Sequence, residues 1–240
     1  MNTKQITATN VDELMEQREQ SQACLGYAES RQKKTEGQKI KQLYETAFPE
    51  DEQIPWDDLM RLVGEMPLDF TAYYDGEDFI GFTIVYPRKS FNRRTKQGQS
   101  GTCSSYALQG GGRPKVNWFW YFAVSGELRG KGYGQQILTQ LIERYKGQPF
   151  VLDMESTTQV CDNLEERRKR QSFYMRNGFR DTNVYRTYND ITMTIMMRGE
   201  RQRVGDGTSG IGTFTMQDWD DIVDELKKYW WPEDINEEYE

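Results

Sequence analysis

Three glycines stand at alternate positions within residues 128–138 (LRGKGYGQQIL), between an aromatic run and an amphipathic helical pattern. The stretch fails the nucleotide P-loop pattern, because Lys131 is followed by a glycine where serine or threonine is required. It also fails the dinucleotide pattern G-x-G-x-x-G, because Gln135 stands in the place of the third glycine. An Arg-x-x-Gly-x-Gly sequence that opens a helix remains. Backbone N–H groups and the positive end of the helix can hold a pyrophosphate there, so the spacing indicates a phosphate-binding loop.

The chain contains no histidine, which limits its acid and base chemistry. Histidine is the usual general base at neutral pH and the commonest metal ligand. Serine-histidine and cysteine-histidine catalysis are therefore excluded, and proton transfer falls to Asp, Glu, Tyr, Lys, Cys, water or the backbone. Cys24, Cys103 and Cys161 are widely and irregularly spaced. We therefore expect reduced thiols rather than disulfides, and no metal site.

The composition favours one substantial core with extensions, because 36% of the 240 residues are hydrophobic. A net charge of −7 argues against the broad basic surface that a nucleic-acid partner requires. No apolar run approaches the roughly 20 residues of a membrane span, and residues 1–20 lack the apolar centre of a signal peptide. We therefore expect a cytoplasmic protein with no nucleic-acid or membrane partner, and a homodimer is left open.

The phosphate-binding loop lies inside a predicted β-α-β unit. Residues 116–124 form an apolar, β-prone run typical of a buried strand, and residues 150–155 form a second such run. Between them, residues 135–146 carry apolar side chains on one helical face, and a further helix is predicted at residues 163–177. A crossover of this kind implies parallel or mixed strand pairing.

Antiparallel hairpins are predicted on both sides of this unit. The first spans residues 70–86 with Asp75-Gly76 at its turn, and the second spans residues 184–197. Apolar spacing predicts two helices before the first hairpin, ending near Ala47 and Val63. Together these elements predict an α+β fold with a mixed sheet.

Changes in composition predict the domain organisation. Residues 1–36 are polar and read as a flexible extension, and residues 37–198 form the main domain. Within that domain, residues 87–116 are predicted to be a long insertion loop. A glycine-rich linker at residues 199–212 precedes a C-terminal helix and an acidic tail at residues 213–240. We expect the helix to pack back on the domain and the tail to be solvated.

Two motifs in matching order resemble the GNAT superfamily of acyl-CoA-dependent N-acyltransferases. The sequence RGKGYG between a strand and a helix looks like the family's acyl-CoA pyrophosphate loop. The run RQSFYMRNGF at residues 170–179 resembles its later helix, in which a tyrosine precedes an N-G-F turn. Residues 44–52 (YETAFPEDE) resemble the first helix and loop of bacterial members, and the resemblance spans roughly residues 37–198. It implies a mixed central sheet with a splayed strand pair, flanked by helices.

The resemblance also implies acetyl-CoA as co-substrate and an amine as acceptor. The pantetheine arm would enter between strands 116–124 and 150–155 and pair with exposed backbone. Asn163 could reach the pantetheine amides, or it could simply begin its helix. The cofactor-binding candidates are the backbone of Phe122 and Val124, the pyrophosphate-binding residues Arg129, Gly130, Lys131, Gly132, Tyr133, Gly134 and Gln135, and Asn163.

Acyl transfer to an amine needs a proton for the departing thiolate, and the resemblance gives this role to Tyr174. An unperturbed phenol has a pKa near 10 and keeps its proton at neutral pH. The alternative role for Tyr174 is packing its helix on the sheet. A general base is less clearly marked: Glu155, or Glu50 and Glu52, could relay the amine proton through water, or be surface carboxylates.

Two further groups have both functional and structural interpretations. Trp118, Trp120 and Tyr121 could line an acceptor site by cation–π contact, or be ordinary core. The basic run at residues 167–170 could bind nucleic acid or the 3′-phosphate of CoA, or be a solvated, salt-bridged face. The leading hypothesis is an N-acetyltransferase acting on a small-molecule or protein amine. The alternative is a non-catalytic module that binds acyl-CoA or a partner protein.

Overall fold

The computed structural model describes residues 1–7, 10, 34–87, 116–188, 190–199, 214–227 and 229. The chain divides into two compact units. The first comprises Met1–Pro87, Phe119–Lys146 and Glu225–Glu240, and the second comprises Arg88–Trp118 and Gly147–Asp224. The greater part of the predicted insertion, linker and acidic tail lies outside the described residues.

In the part of the chain that the structure describes, four strands contribute to the first unit: β1 (Asn2–Ile6), β2 (Asp69–Asp75), β3 (Asp78–Tyr86) and most of β4 (Asn117–Val124). β1 pairs antiparallel with β2, placing Ile6 opposite Phe70. The prediction that residues 1–36 form a flexible extension is therefore wrong at residues 2–6, which form a sheet edge.

The predicted first hairpin is confirmed. β2 pairs antiparallel with β3, and Asp75 lies opposite Asp78 across the turn. Gly76 in this turn has a φ of +60°, a left-handed conformation that glycine adopts without steric cost.

Among the described residues, three helices belong to the first unit: α1 (Glu36–Ala47), α2 (Trp56–Glu65) and α3 (Tyr133–Arg144). α1 begins with a capping box in which Thr35 and Gln38 each bond the other's backbone N–H. Its buried residues Ile40, Leu43 and Tyr44 follow helical spacing, and the helix ends just before Pro49.

The second unit contains β5 (Phe150–Glu155), α4 (Leu164–Arg176), β6 (Arg180–Tyr188), β7 (Ile191–Arg198) and α5 (Met216–Leu226) up to Asp224. β5 and β6 each pair antiparallel with β7, which confirms the second predicted hairpin. The first residues of β4 pair parallel with β5, as Asn117 with Phe150 and Trp118 with Val151.

The strands form one seven-stranded mixed sheet in the order β1-β2-β3-β4-β5-β7-β6. With five α-helices among the described residues, the fold is α+β, as predicted. The splay of β4 and β5 stays a prediction.

The C-terminal helix α5 packs as its apolar face predicts. Trp219 and Ile222 are buried, and the Trp219 ring meets the Trp118 ring edge-on at 5.8 Å. Arg186 lies over the Trp219 ring, with its guanidinium carbon 5.8 Å from the ring centre. Among the described residues, no helix combines the length and the apolar composition needed to cross a membrane.

Candidate active site

The glycine loop joins β4 to α3 within the first unit. A short 3-10 turn at Gly126–Leu128 follows β4. Gly130 and Gly132 then adopt φ values of +77° and +84°, which only glycine adopts readily. Gly132 is the N-cap of α3 and offers no side chain to the first N–H groups of the helix. The helix therefore presents its positive end in the form that suits an anion.

Two cations and two strand residues accompany the loop in the first unit. The side chains of Arg129 and Lys131 are exposed, and Arg129 donates from Nε to the Val124 carbonyl oxygen at 3.4 Å. Phe122 and Val124 are half-buried and pack against a core cluster of Tyr73, Ile80 and Ile137. The structure thus places the predicted pyrophosphate and pantetheine contacts, apart from Asn163, in one compact unit.

Tyr133, at the start of α3, links the glycine loop to the first hairpin. Its hydroxyl donates to Asp75 Oδ2 at 2.7 Å, and its ring packs against the same core cluster. The hydrogen bond to the Asp75 carboxylate raises the pKa of Tyr133. The sequence does not predict this contact, because the two residues are far apart in the chain and no sequence motif links them.

Tyr174 lies near the end of α4 and is 8% exposed. Its ring packs against Phe173 and Phe179 at centroid distances of 5.4 and 5.5 Å. Burial raises the pKa of its phenol to about 12, while the positive charge of Arg170 acts in the opposite direction and Asp153 raises the pKa further. The phenol therefore keeps its proton at neutral pH, and its packing and its predicted acid role are compatible.

Glu155, at the end of β5, is the centre of a buried charge network. Its side chain is 5% exposed; Oε1 lies 2.7 Å from Arg167 Nη2, and Oε2 accepts from Arg170 Nη1 at 3.2 Å. Arg167 is itself 7% exposed and donates to the Ser156 carbonyl oxygen at 3.2 Å. The interpretation of residues 167–170 as a solvated, salt-bridged face is therefore wrong about solvation for Arg167, which is buried, and right about its salt bridge.

Asn163 belongs to the same network. It is the N-cap of α4 but makes no side-chain capping bond there. Instead its Nδ2 donates to Glu155 Oε1 at 3.3 Å, and its Oδ1 accepts from Arg167 Nε at 2.8 Å. The structure thus brings two predicted site residues, Glu155 and Asn163, into contact through the start of α4.

The aromatic residues of β4 divide between the units. Trp118, in the second unit, donates from Nε1 to Asp153 Oδ1 at 2.9 Å. Burial raises the pKa of Asp153, against the opposing effect of that hydrogen bond. In the first unit, Trp120 stacks on Tyr121 with ring centroids 5.3 Å apart. Asp153 was missed by sequence reasoning, although a carboxylate in an otherwise apolar strand was a usable signal.

Two tyrosines fix the loop that follows α1. Ile54 donates its backbone N–H to the Tyr44 hydroxyl at 2.7 Å. The Tyr121 hydroxyl donates to the Glu52 carbonyl oxygen at 2.9 Å. The loop that carries the predicted carboxylates Glu50 and Glu52 is therefore held by buried phenols, and Glu50 itself is exposed.

The first unit contains a helix N-terminus preceded by glycines, and the second contains a buried tyrosine before an N-G-F turn. These are the two features on which the resemblance to the acyltransferases rests. The chain belongs to the acetyltransferase (GNAT) family, whose family model matches residues 37–179. No curated protein matches the chain.

Comparison with solved structures finds proteins that are similar to this chain. The structure of a putative acetyltransferase from the GNAT family of Bacteroides thetaiotaomicron is 18% identical, covers 95% of this chain and 97% of that one, and has a TM-score of 0.57. Escherichia coli ElaA is 14% identical over 82% of this chain and 99% of its own, with a TM-score of 0.46. The first of these likenesses supports the α+β architecture.

Proposed function

We propose that this protein transfers an acetyl group from acetyl-CoA to a primary amine of a small molecule or a protein. Membership of the acetyltransferase family supports the reaction class. The observation that carries the proposal is the Tyr174 phenol, which is buried, lies near the end of α4 and has a pKa of about 12. Such a phenol is protonated at neutral pH and so has a proton to donate, although its burial makes it a weaker acid than an exposed tyrosine.

The glycine loop is the proposed site for the pyrophosphate of acetyl-CoA. The backbone N–H groups of residues 133–135 belong to the first turn of α3, which begins at Gly132 as its N-cap, whereas those of Arg129 and Lys131 donate to the carbonyl oxygens of Gly126 and Leu128. The exposed charges of Arg129 and Lys131 add attraction for the phosphates. The backbones of Phe122 and Val124 are the proposed pantetheine and thioester contacts. For Asn163 the bonds to Glu155 and Arg167 favour a structural role over contact with pantetheine.

The reaction proceeds by direct attack. The amine lone pair forms a C–N bond with the thioester carbonyl carbon, and the carbonyl oxygen takes up negative charge. When this intermediate collapses the C–S bond breaks, and the sulfur keeps the electron pair and accepts the Tyr174 proton. The ammonium proton leaves through water, and the phenolate then recovers a proton from solvent.

The base for the amine proton is proposed to be water, aided by an exposed carboxylate such as Glu50. Glu155 is poorly placed for this role, because both of its oxygens already accept from arginine side chains and one also accepts from Asn163. Its negative charge instead forms ion pairs with arginines of α4, and these pairs hold α4 against the end of β5.

Tyr174→Phe tests the acid assignment. We expect kcat to fall by about 100-fold or more, the usual range for losing a general acid, while the Kd for acetyl-CoA stays within about twofold. Turnover is measured as free-thiol release with pooled amines and basic peptides, and binding by tryptophan fluorescence.

Tyr185→Phe is the matched control, because Tyr185 is an exposed tyrosine of the same unit. Unchanged turnover in Tyr174→Phe would remove Tyr174 as the acid. Binding of acetyl-CoA without thiol release from any amine would favour the acyl-CoA-binding module, and absence of binding at micromolar acetyl-CoA would reject both functions.

A further inference from the structure

Arg170 pairs with a buried carboxylate and lies on the same helix as Tyr174. It lies one helical turn before Tyr174 on α4, and side chains separated by four residues share a helix face. Its guanidinium is held by Glu155, at 3.2 Å from Oε2. The side chain is 44% exposed, so the helix packing does not depend on burying it.

The Glu155–Arg167 pair does not require Arg170. Arg167 approaches Glu155 Oε1 at 2.7 Å, and Asn163 donates to the same oxygen. Arg170 therefore adds a second positive charge to a carboxylate that already has a partner. Because Arg170 lies on the face of α4 that carries Tyr174, its positive charge can also act on the Tyr174 phenol.

We propose that Arg170 is a positioning residue that stabilises the phenolate formed when Tyr174 gives its proton to the CoA thiolate. Glu155 acts as the anchor that holds the guanidinium on this face of α4. The inference rests on the proposed function, in which the Tyr174 O–H bond breaks and its proton moves to sulfur. The positive charge of Arg170, one helical turn away, then stabilises the negative charge left on the phenol oxygen.

The charged groups around Tyr174 agree with this assignment. Arg170, on its own helix, favours the ionised phenol, whereas Asp153, on β5, disfavours it. Burial also opposes ionisation. Arg170 is thus the one charge in this set that favours proton release from Tyr174.

The test measures the ionisation of residue 174 directly. Replacing Tyr174 by 3,5-difluorotyrosine brings the titration into a milder pH range, because fluorine makes the phenol more acidic, and fluorine NMR then follows it without substrate. In Arg170→Met we expect the acid dissociation constant of this phenol to fall about tenfold. Arg170→Lys keeps the positive charge, so most of the effect should be restored.

Arg168→Met is the matched control. Arg168 lies two residues away on α4 and is 57% exposed, and its partner is Glu165 rather than Glu155. This variant removes the same charge from the chain, and we expect its phenol titration to match that of the parent protein. Equal titrations in Arg170→Met and Arg168→Met would overturn the proposal.

Turnover provides the second readout, with Tyr174 as the natural tyrosine. In Arg170→Met we expect kcat to fall about tenfold, with the KM for acetyl-CoA within about twofold and with recovery in Arg170→Lys. Unchanged turnover in Tyr174→Phe would remove Tyr174 as the acid, whereas absence of thiol release in the parent protein would reject the proposed function. An inactive Tyr174→Phe beside a fully active Arg170→Met would instead overturn only the role of Arg170.

Discussion

Glu155 is a buried ionised group whose partners offset the cost of its burial. A carboxylate in an apolar environment loses several kcal/mol of hydration, and opposite charges with further hydrogen bonds are needed to compensate. Arg167 provides the shortest contact, and Asn163 ties the pair to the first residue before α4. The network therefore fixes where α4 begins relative to the end of β5.

Glu155→Gln should lower the free energy of unfolding by roughly 3–5 kcal/mol, because it leaves the charge of the buried Arg167 side chain without its counter-ion. Glu165→Gln is the control, since it breaks the exposed pair with Arg168 on the same helix and should cost at most about 1 kcal/mol. Urea denaturation measures both variants. Similar small losses in the two would mean that the buried pair does not stabilise the fold.

Single residues differed in how far the sequence could predict them. Tyr174 was placed correctly on a helix before its N-G-F turn because both features are local in the chain. The partners of Glu155 were not predicted, because they lie on another element and only packing brings them together. Patterns of residue type along the chain carry no information about such pairs.

Strands and hairpins were predicted where burial imposes a recognisable pattern of apolar residues or a turn residue marks the hairpin. β4 has mostly buried residues and was found as an apolar run, and the hairpin of β2 and β3 was found from its Asp-Gly turn. β1 was missed because its sequence, NTKQI, buries only Ile6. An edge strand of this kind is held by backbone hydrogen bonds to one neighbour, so its side chains need not alternate.

Gly81 allows the close approach of β3 to β4. A Cβ at position 81 would clash with the carbonyl oxygen of Ala123 and lie 3.1 Å from Val124 Cα. Both are backbone atoms, so they cannot rotate away from the clash as a flexible side chain could. Because Val124 ends the strand that leads into the glycine loop, this contact also affects where that loop begins.

Gly81→Ala should therefore lower the free energy of unfolding by about 1–3 kcal/mol or more, the usual cost of overpacking. It should also raise the Kd for acetyl-CoA, since β4 must move. Gly126→Ala is the control, because a Cβ there meets nothing within 4 Å and its φ is not positive, so we expect a change within about 0.5 kcal/mol. Thermal unfolding and tryptophan fluorescence measure the two effects. An undisturbed Gly81→Ala protein would refute the clash.

At the scale of the whole molecule, composition predicts one substantial core with extensions, and this stays a prediction; the structure groups the chain into two compact units. Composition gives the number of apolar residues but not how they are distributed between compact units, so this division could not be predicted from it. The glycine loop belongs to the first unit, and Tyr174 with its network belongs to the second.

Asp69 is the clearest acid-sensitive group. Burial alone raises the pKa of its carboxyl, but hydrogen bonds from Tyr145 and Thr71 and the charge of Arg144 outweigh burial and hold the pKa below its usual value. Tyr145 donates to Oδ2 at 2.6 Å and Arg144 at 3.0 Å, joining the end of α3 to β2. The ionised form is thus favoured by folding.

A lowered pKa in the folded state means that Asp69 adds stability above its unfolded pKa of about 3.9, and that this stability is lost as pH falls through the lower folded pKa. Asp69→Asn should therefore be less stable than the parent protein at neutral pH, and the difference should shrink steadily below about pH 4. Urea denaturation at a series of pH values measures this. Glu77→Gln, which removes an exposed carboxyl in the hairpin turn, controls for net charge and should show no such convergence. A constant difference between Asp69→Asn and the parent across this pH range would show that Asp69 acts through packing alone.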